Sequence, residues 1–154
     1  MKYMLIMRDT AEAVAQWENL DFEEVINAMG RYNEQMVKAG VFIDAQGLSD
    51  ASEGAVVDFE TEDPVVTDGP YGEVHELFNG FWILEVPTKA EAIEWARRAP
   101  LGKGSKMEVR RVNEWSDFPD HADNEYIEKE KGWRVEQEQR RAAGAQEQSA
   151  PGNG

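Results

Sequence analysis

The sequence predicts an α+β domain, because short segments of the strand type alternate with amphipathic helical segments along most of the chain. The strand segments are rich in apolar, β-branched and aromatic residues and are bounded by turn residues. They are Lys2–Met7, Val41–Ala45, Ala55–Glu60, Val65–Thr67, Phe81–Val86 and Lys106–Val112. The resulting order, β-α-β-β-(β)-α-β, predicts the split βαβ arrangement of ferredoxin-like folds.

Each of the two main helical segments opens on a capping box, in which a side chain before the helix and an acid three residues later satisfy backbone N–H groups. Asp21 with Glu24 opens the first, and Thr88 with Glu91 opens the second. A short helical turn, 11–18, precedes the first main helix behind Thr10. Apolar residues recur along the first main helix at steps of three and four, so one stripe is predicted to face the core. They are Phe22, Val25, Met29, Tyr32 and Met36.

Glycine and proline mark where these helices end. Gly40 follows the first main helix at the position where a left-handed residue is expected. Pro100 ends the second, because proline lacks the N–H group that continues a helix.

The strands Lys2–Met7 and Phe81–Val86 are apolar on both alternating faces. In a ferredoxin-like fold both helices cover one face of the sheet, so the second face needs a cover of its own. An identical sheet from a second subunit would provide it, which predicts a two-fold homodimer. The alternative is that the C-terminal tail folds back over this face. We favour the dimer.

The folded domain is predicted to span residues 1–118, followed by a polar C-terminal extension over residues 119–154. Residues 123–142 can form a helix, but their apolar stripe is thin, so such a helix would be marginal alone. Residues 143–154 are rich in Gly, Gln, Ser and Pro, which predicts disorder.

Composition excludes several classes of function. The formal charge of −15, from 31 acids and 16 bases, repels phosphate, so we expect neither a nucleic-acid nor a membrane partner. The absence of cysteine excludes a thiol nucleophile and a Cys-ligated metal. With no apolar run of about 20 residues and no signal sequence at Met1–Met7, a cytoplasmic location is predicted. No glycine loop that could cradle a phosphate is present, and no cofactor is predicted.

The most distinctive segment begins with a strong turn signal, Asp68-Gly69-Pro70, followed by Tyr71, Glu73 and Glu76 and then by Gly80-Phe81-Trp82. This combination resembles the DGPF motif of the YCII-related family. The opening Met1–Leu5, the helix end at 39–41 and the later 94–96 are also similar to that family, so the resemblance covers residues 1–112. It implies a ferredoxin-like fold that assembles as a dimeric α/β barrel. It implies little about function.

The chain departs from the family pattern at several positions. Tyr71 replaces the phenylalanine of the motif, and His75 stands where lysine is common. A histidine on the first long helix and an aspartate before a proline have been proposed as a catalytic pair in related proteins. Here that helix has no histidine, and Ala99 precedes Pro100. The resemblance therefore does not extend to that chemistry.

The loop 68–80 remains the candidate site, because it carries ionisable groups beside aromatic residues. His75 can act as a general acid or base near neutral pH, with Asp68 as its carboxylate partner in catalysis. Glu73 and His75 project to the same side if the segment is extended. Glu73 is a candidate ligand-binding residue together with the aromatic residues Tyr71, Phe81 and Trp82.

Each of these residues also has a structural interpretation. Asp68 is a typical turn residue that accepts backbone N–H bonds, His75 can be a surface histidine, and the strand aromatics can be core. A metal site would need Glu73, His75 and a third ligand such as Glu76 or His121. No spacing here is diagnostic of one, and no metal is predicted.

Two functions follow from this reading. The first is a small-molecule enzyme or binding domain with a pocket near the DGP turn. The second is a non-enzymatic interaction module in which the loop or the acidic tail engages a protein. The sequence favours the first and leaves open whether catalysis occurs.

Overall fold

The computed structural model describes residues 1–70, 75–121 and 124–149. The chain divides into two compact units, residues 1–112 and 113–154. The first unit contains these helices and strands: β1 (Lys2–Asp9), α1 (Ala11–Trp17), α2 (Phe22–Lys38), β2 (Phe42–Gly47), β3 (Ala55–Asp58), β4 (Val65–Asp68), β5 (Leu77–Glu85), α3 (Lys89–Arg97) and β6 (Ser105–Arg111). The second unit contains one long helix, α4 (Glu125–Ser149).

The main sheet has four strands in the order β2-β5-β1-β6, and every neighbouring pair is antiparallel. The chain passes from β1 through α1 and α2 to β2, yet β5 lies between β1 and β2 in the sheet. β3 and β4 form a separate two-stranded antiparallel sheet, as the sequence predicts for a hairpin. The α+β fold class is confirmed.

Side chains fix the starts of the helices. Thr10 Oγ1 accepts a hydrogen bond from Ala13 N at 3.3 Å, and Thr88 Oγ1 accepts one from Glu91 N at 3.2 Å. Asp21 Oδ1 accepts from Glu23 N at 3.0 Å, so this cap engages the second helical residue. These bonds satisfy N–H groups that have no partner inside the helix. The predicted helix starts are confirmed, although the described residues show no return bond from Glu24 or Glu91 to complete a capping box. Gly40 has the positive φ, 71°, expected after α2.

The core lies between one face of the main sheet and the helices α2 and α3. Tyr3 and Leu5 of β1 belong to one buried cluster with residues of β5 and of both helices: Tyr32, Met36, Trp82, Leu84, Val86, Ala92 and Trp95. The Tyr32 hydroxyl of α2 donates to the Trp95 carbonyl oxygen of α3 at 2.9 Å. The Tyr32 ring also meets Trp82 edge-on, with 5.6 Å between ring centroids.

The predicted helix stripe is correct at its C-terminal end and wrong at Phe22. Tyr32 and Met36 are buried, whereas the Phe22 side chain is 74% exposed. A repeat of 3.6 residues identifies which face of a helix is apolar, but it does not identify where along the helix the sheet begins. The core contacts of α2 start well after its first turn.

The opposite face of the main sheet is mixed in character. Its apolar side chains are Met4, Ile6, Phe81 and Ile83; Ile6 is buried within the single chain, and the other three are partly buried. Charged residues of β1 and β6 share this face, because Arg8 pairs with Lys106 and Ile6 pairs with Glu108. The apolar surface left for a second subunit is therefore smaller than the alternation of the strands predicts.

Three elements, β1, β5 and α4, extend beyond their predicted bounds. β1 continues past Met7 to Asp9, and its last residues pair with Phe78 and Leu77, so β5 begins at Leu77 within the predicted loop. The helix α4 continues to Ser149, whereas the sequence predicts disorder from residue 143. Good helix formers and ion pairs one turn apart, such as Lys129 with Glu125 at 3.1 Å, favour this helix. Residues 150–154 lie outside the described residues.

Candidate functional site

The DGP turn follows β4 and is hydrogen-bonded to the residue that precedes β3. Asp68 is the last residue of β4 and pairs with Ala55. Gly69 follows with φ of 81°, and its N–H donates to the Gly54 carbonyl oxygen at 2.8 Å. A residue with a side chain avoids this left-handed conformation, so glycine is the residue that suits the turn.

A groove runs between this turn and the first residues of β5; we call it the DGP groove. Its volume is about 460 Å³, and it is open to solvent. β2 stops pairing with β5 at Gly80, and Leu48 N then donates to the Asn79 backbone carbonyl oxygen at 2.8 Å, so the edge of β5 before Asn79 is left to the groove. The groove is lined by Leu48, Ser49, Asp50, Ala51, Gly54, Ala55, Val56, Gly69, Pro70, Glu76, Leu77, Phe78 and Asn79.

Glu76 in the groove wall is held by two cations. Arg8 Nε lies 3.0 Å from Glu76 Oε2, and the Lys106 ammonium donates to Glu76 Oε1. The hydrogen bond from Lys106 is the main cause of the lowered pKa of Glu76, and the positive charge of Arg8 adds to it. Arg8 is itself fixed by Glu108, at 2.9 Å. Glu76 is therefore an ionised carboxylate at neutral pH.

Asn79, also in the wall, contacts a buried acid. Asn79 Nδ2 lies 3.0 Å from Asp9 Oδ2, and the Asp9 residue is 3% exposed. Within the described part of the chain, Asp9 Oδ1 has no hydrogen-bond partner, and neither has the buried Oγ of Ser105. These two residues pair across β1 and β6. A buried polar atom without a hydrogen-bond partner lowers the stability of the fold, so Asp9 and Ser105 are candidates for a functional role.

A second concavity, of about 210 Å³, lies on the helix side of the sheet. Its wall includes Met7, Met29, Asn33 and Trp82, and Gly80 belongs to it as well. A Cβ atom on Gly80 would stand 2.8 Å from the Gln46 carbonyl oxygen, closer than packing allows. Glycine is therefore required here by the close approach of β2 to β5.

The structure places the predicted catalytic pair outside the groove wall. Asp68 and His75 are both exposed, and neither is among the residues that line the groove. The turn N–H groups that follow Pro70 belong to residues 71–74, outside the described residues, so the bond expected of Asp68 and the catalytic role of Asp68 and His75 stay predictions. Tyr71 and Glu73 lie outside the described residues, and their predicted role in ligand binding stays a prediction.

The two aromatic candidates lie on opposite faces of β5. Phe81 stacks on Phe78, with 6.3 Å between ring centroids, and Phe78 belongs to the groove wall. Trp82 packs in the core, where its Nε1–H donates to Asn33 Oδ1 at 2.8 Å. Phe81 thus contacts a residue of the groove wall, and Phe81 and Trp82 both line the second concavity.

Sequence reasoning missed Asp9 and Asn79 as site residues. Asp9 comes two residues after Met7, at the end of the apolar alternating run of β1. Extending that alternation to Asp9 would have placed an acid on the buried face, which is the signal that was available. Asn79 resembles an ordinary loop residue before Gly80, and only its bond to Asp9 gives it a role. In residues 1–70, 75–121 and 124–149 no cluster of three or more His, Asp or Glu side chains is arranged to hold a metal. Within the same residues, no helix has the length and apolar character to span a membrane.

Comparison with known proteins agrees with the resemblance of the motif. An uncharacterized protein of Rhizobium meliloti (strain 1021) is 23% identical over 97 residues, which cover 63% of this chain and 78% of that protein. The sequence profile of the YCII-related domain matches residues 1–116. This chain belongs to the YCII-related domain family.

Proposed function

We propose that this YCII-related domain binds a small uncharged or cationic molecule in the DGP groove. The observation that carries the proposal is the groove itself, a concavity with a volume of about 460 Å³ between the DGP turn and the start of β5. Binding sites for small molecules are concave and combine apolar walls with a few convergent polar groups. The DGP groove has both.

The charges of the groove argue for the class of ligand. Its wall holds the carboxylates of Asp50 and Glu76, and none of its described members is lysine or arginine. The net charge of the chain, −15, adds a long-range field of the same sign. Arg8 and Lys106 compensate the charge of Glu76, so the local repulsion of an anionic ligand comes from Asp50, and the net charge of the chain adds to it at long range. A neutral or cationic ligand meets neither repulsion.

The apolar part of the wall argues for a ligand with a hydrophobic portion. Leu48, Leu77 and Phe78 line the groove, and the Phe78 side chain is 43% exposed. An aromatic face that stays exposed beside polar groups provides a stacking surface for a ring or an aliphatic chain. We therefore propose an amphipathic molecule whose polar end contacts Asn79 or a carboxylate.

Nuclear magnetic resonance of the ¹⁵N-labelled protein tests this proposal. A library of small fragments, with cationic, neutral and anionic members, is titrated while backbone signals are followed. We expect cationic or neutral fragments to shift the signals of Gly54, Gly69 and Asn79 saturably. Shifts that map elsewhere, or only anionic hits in the groove, would contradict the proposal.

A matched pair of variants adds specificity to this test. Ala55→Phe introduces a ring at a residue of the groove wall, and Val57→Phe introduces the same ring two residues further on β3, outside the wall. Residues i and i+2 of a strand share a face, so the two variants place the same ring on the same face of the hairpin. We expect Ala55→Phe to weaken binding at least about tenfold, roughly 1.4 kcal/mol, and Val57→Phe to leave it unchanged.

We further propose that the domain forms a homodimer through the open face of the main sheet, as a dimeric α/β barrel of two ferredoxin-like sheets. Met4, Phe81 and Ile83 give this face an apolar centre that is only partly buried within the chain. A two-fold interface brings the same patch of both subunits together, so a small apolar patch is used twice.

One feature favours the second function, a protein-interaction module. The β3–β4 hairpin exposes apolar side chains that no described residue covers fully: Val57 is 49% exposed, Phe59 76%, Val65 54% and Val66 65%. An exposed apolar hairpin can add a strand from another protein to its edge. This function would use the hairpin and leave the groove empty.

Affinity capture with two variants separates the two functions. The double variant Phe59→Ser, Val66→Thr removes apolar surface from the hairpin, and Ala55→Phe blocks the groove. A protein that is retained by the wild-type chain and by Ala55→Phe, and is lost with the double variant, would favour the interaction module. Direct binding of the purified partner, measured by calorimetry, must then reproduce that pattern. If no retained protein depends on the hairpin, this second function is excluded.

A further inference from the structure

Asp9 is a buried acid beneath the groove wall, and it determines how Asn79 presents its amide group. A carboxylate offers only hydrogen-bond acceptors, so the contact at 3.0 Å must come from the NH₂ end of the Asn79 amide. Chemistry thus assigns the orientation of an amide whose nitrogen and oxygen are otherwise hard to tell apart. The side-chain oxygen, Asn79 Oδ1, then points away from Asp9.

The fold itself turns Asn79 out of the strand alternation. β1 pairs Met7 with Gly80 and Arg8 with Phe78, which leaves Asn79 as the extra residue of a bulge. A bulge re-aims the side chain of its extra residue, and bulges are common beside functional sites. Here the bulge directs Asn79 toward Asp9 while Asn79 remains part of the groove wall.

Asp9 has little freedom to release this contact. Its residue is 3% exposed, and its second oxygen has no described partner, so the bond from Asn79 is the direct hydrogen bond that the structure gives the carboxylate. A hydrogen bond to a charged group is stronger than one between neutral groups, and a buried carboxylate that lost it would be left unpaired.

We propose that Asp9 is a positioning residue that holds the side-chain oxygen of Asn79, Oδ1, toward the DGP groove. The groove would thereby select a ligand with an ammonium or guanidinium group. This inference rests on the proposed function and names the ligand class for the same groove. Asn79 contributes a side-chain acceptor to the wall that also holds the Asp50 carboxylate, whereas the two oxygens of Glu76 are already paired with Arg8 and Lys106. A cluster of acceptors favours a ligand that donates hydrogen bonds and carries positive charge.

Three probes that share one benzyl or phenyl ring and differ in their polar group test the selection: benzylammonium, benzyl alcohol and benzoate. Titrations of the ¹⁵N-labelled full chain give the affinity of each. We expect benzylammonium to bind in the groove more tightly than benzyl alcohol, and benzoate to bind most weakly. The Asn79 side-chain amide signals should shift on binding.

Asp9→Asn keeps the shape of the side chain but can either donate or accept, so it no longer fixes the Asn79 amide. We expect the preference for benzylammonium over benzyl alcohol to fall about tenfold in this variant. Glu85→Gln is the control, since it removes the same formal charge from an exposed site at the far end of β5. It should leave the preference unchanged. If Asp9→Asn does not fold, Asn79→Ala removes the same carbonyl oxygen and should lower the preference equally.

The outcomes distinguish this inference from the proposed function. Equal affinity for the three probes, or a preference that survives both Asp9→Asn and Asn79→Ala, overturns the role of Asp9 and leaves the groove as a binding site. Failure of benzylammonium to bind while neutral fragments do so overturns the ligand class alone. If no fragment of any charge binds the groove, both proposals fail together.

Discussion

Tyr32 connects the two core helices, and its environment makes a prediction at the scale of a single residue. Its hydroxyl donates to the Trp95 carbonyl oxygen from a buried position. Burial raises the pKa of Tyr32 to about 12, against a smaller opposing effect of Arg98. The neutral form is favoured in the folded state, since ionisation would place a charge in the core.

The raised pKa of Tyr32 predicts a loss of stability at alkaline pH. Because the folded-state pKa lies above the unfolded value of 10.0, the stabilising contribution is complete below pH 10 and is lost as the pH rises toward about 12. Tyr32→Phe should cost about 1 kcal/mol at pH 7, since the Trp95 carbonyl oxygen keeps its bond from Arg98 N. Urea unfolding between pH 8 and 12 should show the advantage of the wild type shrink and then reverse, because a pKa shift of about two units outweighs about 1 kcal/mol; Tyr126→Phe is the exposed control. A constant difference across that range would contradict the assignment.

At the scale of the element, local signals in the sequence predict which segments form helices and strands but not how far the strands run. Thr10, Asp21 and Thr88 begin helices because their side chains bond the first turn, which is a local property. The extension of β1 to Asp9 depends on pairing with Leu77, some seventy positions along the chain. Pairing over that distance is set by the whole sheet, so the sequence predicts a loop where β5 begins.

Two glycines allow a test of the backbone argument at the DGP turn. Gly69 has φ of 81°, and a Cβ atom there would meet nothing within 4 Å, so strain alone opposes a side chain. Gly30 lies in the exposed interior of α2 with equal free space. We expect Gly69→Ala to destabilise the protein by about 1–2 kcal/mol and Gly30→Ala to stabilise it by about 0.5–1 kcal/mol. Thermal or urea unfolding measures both, and the same sign for the two variants would contradict the argument.

At the scale of the whole molecule, the candidate site could be predicted only in part because the groove is made by distant segments. The turn signal at Asp68–Pro70 is local, and the groove indeed includes Gly69 and Pro70. Asp9 comes from β1 and reaches the wall only through Asn79. A sequence pattern cannot reveal a buried acid whose partner is decided by strand order and by a bulge.

The oligomeric state is the last prediction, and it belongs to the molecule as a whole. The open face of the main sheet has an apolar centre that includes Ile83, which is partly buried within one chain, so we expect light scattering to give twice the chain mass at micromolar concentration. Trp82, on the other face of β5, does not need a second subunit to cover it, because its own chain buries it against Tyr32. The open face is therefore the surface on which the dimer contact is expected.

Ile83→Asp tests that face directly. In a two-fold interface the substitution places two carboxylates near each other in an apolar setting, and such charges repel and lose hydration. The variant should be a monomer that retains its circular dichroism spectrum. Ile93→Asp, on the exposed surface of α3, should remain a dimer, since that residue lies away from the sheet. A wild-type chain that is already monomeric would exclude the dimer even if Ile83→Asp failed to fold. A dimer that survives Ile83→Asp would place the interface on another surface.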